Sequence, residues 1–76
     1  MIQVSPNQCR GARGMLGMSQ GALADLSNVS RQTIVDFETG GRKPGRNNLS
    51  AIRGALETAG VRFTANGVEL DARADA

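Results

Sequence analysis

Residues 19–38 read SQGALADLSNVSRQTIVDFE and contain two short helical patterns separated by a tight turn around Asn28 and Val29. Each pattern begins at a serine, Ser19 or Ser30, and serine caps a helix N-terminus by accepting a hydrogen bond from a backbone N–H group. Asn28 tolerates the left-handed backbone conformation that often ends a helix. The stretch therefore predicts two helices joined by a short turn, a helix-turn-helix.

The two faces of the second pattern differ in chemistry. Ile34 and Phe37 share one face and are expected to anchor the helix to a core. The opposite face carries Arg31, Gln32, Val35 and Asp36. Arginine, glutamine and aspartate hydrogen-bond base edges in the major groove, and an apolar side chain contacts the thymine methyl group. This face is therefore rich in groups that are able to read base pairs.

The rest of the first sixty residues predicts two further helices. One begins at Ser5, where Gln8 completes a capping box, and ends at Gly17. The other follows a basic loop rich in glycine and proline, residues 40–45, and ends at Gly60. Its inward residues fall at steps of three and four: Leu49, Ile52, Leu56 and Ala59.

Gly54 lies inside the last of these helical patterns. A glycine there costs about 1 kcal/mol relative to alanine. Close packing against a neighbouring backbone is one explanation for it, and drift without a structural role is another.

After Gly60 the apolar period changes from 3.6 residues to 2, and Asn66-Gly67 is a strong signal for a two-residue hairpin turn. Such a turn fixes the register. It pairs Ala65 with Val68, Thr64 with Glu69, Phe63 with Leu70, Arg62 with Asp71 and Val61 with Ala72. An isolated hairpin is marginal in water, so this one must pack on the helices, pair with residues 2–4 or join a second subunit.

Length and apolar content limit the architecture. A chain of 76 residues supports one small domain. We expect a helix-turn-helix unit over residues 1–60, a hairpin over 61–72 and a tail over 73–76. No uninterrupted apolar run exceeds three residues, which argues against a membrane span and a signal peptide.

Composition also limits the kinds of metal, cofactor and catalytic site that the chain is able to form. The chain has no histidine and a single cysteine, Cys9, so we expect no metal site, no disulfide, no cofactor and no acid-base pair for an enzyme. A reduced, cytoplasmic setting fits best. The net charge is only +2, but residues 1–60 hold seven basic and four acidic side chains. A polyanion is therefore expected to bind the first sixty residues.

Residues 8–60 resemble the Xre/Cro-type helix-turn-helix repressors and regulators of bacteria and their phages. The motifs that carry the resemblance keep the order and spacing of that family: Met18-Ser19-Gln20, Leu23-Ala24, Val29-Ser30-Arg31-Gln32-Thr33-Ile34, Phe37-Glu38, Gly40 and Arg42-Lys43-Pro44. Departures are Gly21 and Ala22 in place of a Glu pair, Ser27 at a commonly small or apolar position, and Asn28 in place of the turn glycine. These departures predict a weaker second helix in an intact fold.

The resemblance implies a mainly α fold, with four to five short helices in a lambda-repressor-like arrangement and a C-terminal β-hairpin. It implies a transcription regulator that binds double-stranded DNA, with the antitoxin or protein-interaction module as the alternative use of the same fold. The expected base contacts are Arg31, Gln32, Val35 and Asp36. The expected phosphate contacts are Ser19, Gln20, Thr33, Arg42, Lys43 and Arg46. Arg13 and Glu38 are expected to form a structural salt bridge.

A homodimer is expected because one helix-turn-helix reads only a few base pairs. The candidate interface is the apolar face of the hairpin, through Val61, Phe63, Val68 and Leu70, and the expected operator is an inverted repeat with half-sites about 34–36 Å apart. The alternative is a hairpin folded onto its own helices, with dimerisation through the fourth helix or only on DNA. A toxin or anti-regulator is a further possible protein partner.

Overall fold

The computed structural model describes residues 4–71 as four helices followed by a two-stranded antiparallel sheet. The elements are α1 (Pro6–Leu16), α2 (Gln20–Ser27), α3 (Arg31–Glu38), α4 (Arg46–Ala59), β1 (Val61–Phe63) and β2 (Val68–Leu70). The predicted mainly helical fold with a C-terminal hairpin is confirmed. Within the described residues, no helix is long and apolar enough to cross a membrane.

The predicted helix starts are present. Ser5, Ser19 and Ser30 each accept a hydrogen bond from the backbone N–H group three residues later, at 3.0 to 3.1 Å. The Gln8 side chain also accepts from the Ser5 backbone at 2.8 Å, which completes the capping box. Asn28 ends α2 with a φ of 58°. Local cap chemistry therefore sets these boundaries.

One apolar core holds the helices and the first strand together. Its members come from the segment before α1, from every helix and from β1: Val4, Cys9, Ala12, Leu23, Ala24, Ile34, Phe37, Leu49, Ile52, Leu56, Val61 and Phe63. Of the inward positions predicted for α4, only Ala59 is exposed. Val29 is half-buried in the turn and packs against the same core.

The predicted hairpin register is wrong by two residues. The structure pairs Val61 with Leu70, Arg62 with Glu69 and Phe63 with Val68. The loop is therefore four residues long, and Ala65, Asn66 and Gly67 lie in it rather than in a ladder with a two-residue turn. The shift by an even number keeps the same side chains on the apolar face.

A long-range contact explains the longer loop. Gln8 of α1 donates from its amide nitrogen to the Thr64 and Gly67 carbonyl oxygens, at 2.9 Å each. Thr64 and Gly67 also bond each other, backbone to backbone at 2.9 Å and through the Thr64 hydroxyl at 3.0 Å. The buried Gln8 amide thus donates to two loop carbonyl groups. A two-residue turn at Asn66-Gly67 would place these carbonyl groups elsewhere.

The hairpin folds back on its own helices, which corrects the prediction for its apolar face. Val61 and Phe63 are only 2% and 5% exposed, because the core of the same chain covers them. Val68 is half-buried against α1, at the position of Gly11. Only Leu70 remains largely exposed, at 57%. Ala72, the predicted partner of Val61, the tail over 73–76 and residues 2–3 of the segment proposed to pair with the hairpin lie outside the described residues.

Two helical glycines have room for a methyl group. A Cβ atom at Gly14 or Gly54 would meet no other atom within 4 Å, so close packing inside the chain does not explain Gly54. We expect Gly14→Ala and Gly54→Ala each to raise the free energy of unfolding by about 0.5–1 kcal/mol, measured by urea unfolding. Gly17→Ala is the control and should lower it, because Gly17 has a left-handed φ of 63°. A loss of stability in the first two variants would contradict the argument.

Candidate nucleic-acid interface

The turn between α2 and α3 is fixed by backbone hydrogen bonds and by a buried side chain. Val29 N–H donates to the Ala24 carbonyl at 3.1 Å and Asn28 N–H to the Asp25 carbonyl at 3.4 Å. Ser27 is buried in α2, and its hydroxyl donates to the Leu23 carbonyl at 2.6 Å. These bonds pair the N–H groups of Asn28 and Val29 and the Ser27 hydroxyl where α2 meets α3.

Glu38, the last residue of α3, lies at the centre of a buried polar network and is 2% exposed. Arg13 of α1 binds both carboxylate oxygens, with Nη2 to Oε1 at 2.6 Å and Nε to Oε2 at 2.7 Å. Gln20 of α2 donates to Oε1 and Cys9 of α1 donates to Oε2, each at 3.1 Å. One carboxylate therefore ties three helices together and fixes the end of α3 against α1 and α2.

The hydrogen bonds around Glu38 favour its ionised form. Burial alone would raise its pKa, but the hydrogen bonds from Arg13, Cys9 and Gln20 outweigh burial and hold the pKa of Glu38 below its ordinary value of 4.5. Burial and the bond to Glu38 raise the pKa of the Cys9 thiol far above its ordinary value, so the thiol is neutral and acts as a donor. The hydrogen bond to Glu38 raises the pKa of Arg13.

The outward face of α3 presents the side chains that the sequence singled out. Arg31 and Gln32 are exposed in the first turn, while Val35 and Asp36 are half-buried one turn later. Gln32 donates from Nε2 to Asp36 Oδ1 at 2.8 Å. Thr33 is half-buried, and its hydroxyl lies 2.8 Å from that of Ser30. One face of α3 is therefore anchored in the core, and the other exposes polar side chains.

The basic loop is attached to the end of this helix. The Asp36 carbonyl accepts from the backbone N–H groups of Gly41 and Arg42, at 3.0 and 3.2 Å. Arg42 and Lys43 are exposed in the loop, and the exposed Arg46 begins α4. Three cationic side chains therefore come directly after α3 in the chain, on the loop and at the start of α4.

Two of the predicted phosphate contacts, Ser19 and Gln20, already make hydrogen bonds within the chain. Ser19 is exposed and caps α2, so its hydroxyl bonds the Ala22 N–H. Gln20 is half-buried, and its bond to Glu38 leaves its carbonyl oxygen and one amide hydrogen for another partner. Sequence reasoning missed this bond and the role of Cys9 as a donor. No local pattern signals either contact, because they join different helices.

Residues 10–60 match a protein-family model described as helix-turn-helix. The chain belongs to the helix-turn-helix family. The resemblance found in residues 8–60 is thereby confirmed, and the family match spans α2, the turn, α3 and α4 together with most of α1.

A solved structure adds to this family assignment. The helix-turn-helix chain is similar to the solution structure of the DNA-binding domain of the P22 c2 repressor, residues 1–76. The two share 29% sequence identity with a TM-score of 0.65, over 75% of this chain and 76% of the other. A comparison with curated proteins gives no significant match.

Proposed function

We propose that the protein is a transcription regulator that recognises a specific sequence of double-stranded DNA. The observation that carries this proposal is the outward face of α3, with Arg31 and Gln32 exposed at its first turn and a cationic loop attached to its end. The likeness to the P22 c2 repressor domain supports the same function. A regulator that binds DNA in this way would act in the cytoplasm, where its ligand lies.

Base contacts follow from the dimensions of the helix and the groove. The major groove admits an α-helix, and the N-terminal residues of a recognition helix contact base edges. Arg31 is suited to guanine O6 and N7, and Gln32 to the edge of an adjacent base pair. Val35 and Asp36 lie one turn further along the helix. Val35 is suited to a thymine methyl group, and the Asp36 carboxylate oxygen that does not accept from Gln32 is suited to a cytosine amino group.

Phosphate contacts would orient the domain on the duplex. Arg42, Lys43 and Arg46 supply positive charge beside α3. Ser19, Gln20 and Thr33 supply hydroxyl and amide groups near the starts of α2 and α3, where backbone N–H groups favour an anion. These contacts would supply affinity without sequence information, while α3 would supply discrimination.

We also propose that the DNA-bound form is a two-fold dimer on an inverted repeat, because one short helix contacts too few base pairs for a genomic site. With Val61 and Phe63 buried, the remaining hairpin candidate is the exposed Leu70 beside the open edge of β2. Exposed strand edges pair readily with a second chain.

Selection of bound sequences from a random DNA pool tests the base contacts. We expect one enriched inverted repeat for the wild type. Gln32→Ala should relax the preference at one base pair of each half-site, at a cost of about 1–3 kcal/mol on that sequence. Equal weakening on selected and random DNA would contradict a base contact by Gln32.

Sedimentation at micromolar concentration, without and with the selected DNA, tests the interface. Leu70→Lys should shift the protein toward monomer and weaken binding to the full inverted repeat more than to a single half-site. Leu26→Lys is a matched control, since Leu26 is 61% exposed on α2. Unchanged association of Leu70→Lys would exclude this edge as the interface.

A further inference from the structure

One hydrogen bond on the outward face of α3 has consequences for base preference. Gln32 Nε2 donates to Asp36 Oδ1 at 2.8 Å, between residues four apart on the helix. Asp36 is the better fixed partner, because its side chain is half-buried and its backbone carbonyl is held by Gly41 and Arg42. The exposed Gln32 amide is therefore the movable group, and Asp36 is its support.

A carboxylate imposes a direction on an amide. A glutamine side chain exchanges the positions of its oxygen and nitrogen by a rotation of 180° about its last torsion, so a free glutamine presents either a donor or an acceptor. An ionised aspartate only accepts hydrogen bonds. The rotated amide would set Gln32 Oε1 against Asp36 Oδ1, which loses a charge-assisted hydrogen bond and brings two acceptors together. The pair therefore keeps Gln32 Oε1 as its outward group.

We propose that Asp36 is a positioning residue that orients the Gln32 amide and thereby makes it select a base with an amino group. An outward Oε1 accepts from adenine N6 or cytosine N4, whereas guanine O6 and thymine O4 are acceptors and would face it unpaired. The second hydrogen on Nε2 still reaches adenine N7. This inference rests on the proposed function, because it assumes that Gln32 contacts a base edge.

Asp36→Asn is the central variant. It has nearly the same shape and keeps the backbone bonds at Asp36, but an asparagine amide pairs with either end of the Gln32 amide. Selection from a random DNA pool gives the base preference at the position that Gln32→Ala relaxes. The wild type should favour adenine or cytosine there over guanine and thymine by about tenfold. Asp36→Asn and Asp36→Ala should reduce that ratio severalfold, while the base preference at the position read by Arg31 stays unchanged.

Asp25→Asn controls for charge. Asp25 is exposed on α2, and its loss removes the same negative charge from another helix. Removing either charge strengthens binding to all DNA alike, so the readout is the ratio between bases and not the affinity. Asp25→Asn should leave the ratio unchanged.

Two results would overturn the inference while leaving the proposed function intact. One is a wild-type preference for guanine or thymine at the Gln32 position, and the other is an Asp36→Asn variant with the wild-type ratio. A wild type that selects no sequence would instead remove the proposed function, and this inference with it. Equal melting temperatures of the variants and the wild type show that the fold is retained.

Discussion

Glu38→Gln should lower the free energy of unfolding by about 3–5 kcal/mol at neutral pH. The substitution keeps the shape of the side chain but removes the charge that pairs with Arg13, and it places an amide nitrogen where a donor already points. The carboxylate is 2% exposed and the Arg13 side chain 18%, so water replaces little of the lost interaction. Urea unfolding followed by circular dichroism measures the change.

Glu57→Gln is the matched control. Glu57 pairs with Arg53 across one helical turn of α4 at 3.3 Å, but its side chain is 41% exposed. Exposed pairs of this kind contribute about 0.3–0.5 kcal/mol. Comparable losses in the two variants would mean that burial of Glu38 has no special effect on stability. Arg13→Gln together with Glu38→Gln should lose less than the two single changes added, because the partners act as one unit.

The same pair predicts a dependence on pH. The pKa of Glu38 lies below 4.5 in the folded protein and near 4.5 in the unfolded chain, so the unfolded chain binds the proton more tightly. The stabilisation by this carboxylate is therefore fully present above about pH 4.5 and is lost as the pH falls through the lower, folded pKa. The difference between wild type and Glu38→Gln should be constant from pH 6 to 8 and shrink in more acidic solution. A constant difference at acidic pH would contradict this assignment.

The helices were predictable because their signals are local. Ser5, Ser19 and Ser30 each act within three residues, and the inward positions of α3 follow from a period of 3.6. The hairpin register was not predictable in the same way. The turn residues Asn66-Gly67 favour a two-residue turn, but the two bonds from Gln8 select the longer loop. A contact between residues more than fifty positions apart overrides the local preference.

In the candidate site too, positions set by helical spacing were predictable, and contacts between different elements were not. Helical spacing alone predicts that Gln32 faces away from Ile34 and Phe37, and the structure has both Gln32 and its neighbour Arg31 exposed. The predicted exposure of the hairpin's apolar face assumed that α4 alone covers it. In the structure Val68 lies 3.4 Å from the position that a Cβ atom at Gly11 of α1 would take, and α1 packs on β2 while α4 packs on β1, so two helices cover the hairpin. Such shared burial depends on the packing angles between elements, and the spacing of apolar residues along the sequence does not specify these angles.

Removing the three charges of Arg42, Lys43 and Arg46 together should produce the largest change in DNA binding. Each phosphate contact contributes about 0.9 to the slope of log affinity against log salt concentration, so the triple glutamine variant should lose about 2.7 from that slope. The reason is counterion release, since each cation that meets a phosphate frees a condensed ion. Binding should weaken on selected and random DNA by similar factors, because phosphate carries no sequence information.

Titrations at several salt concentrations measure both quantities, and Arg62→Gln provides the control for net charge. Arg62 is an exposed cation of β1 paired with Glu69, outside the proposed interface. If the loop acts by contact, Arg42→Gln should lower the slope by about 0.9 while Arg62→Gln leaves it unchanged, although both remove one positive charge. Equal effects of the two variants would mean that the overall field of the protein attracts DNA. An unchanged slope in the triple variant would mean that the phosphates meet another surface, and the orientation proposed for α3 would then be wrong.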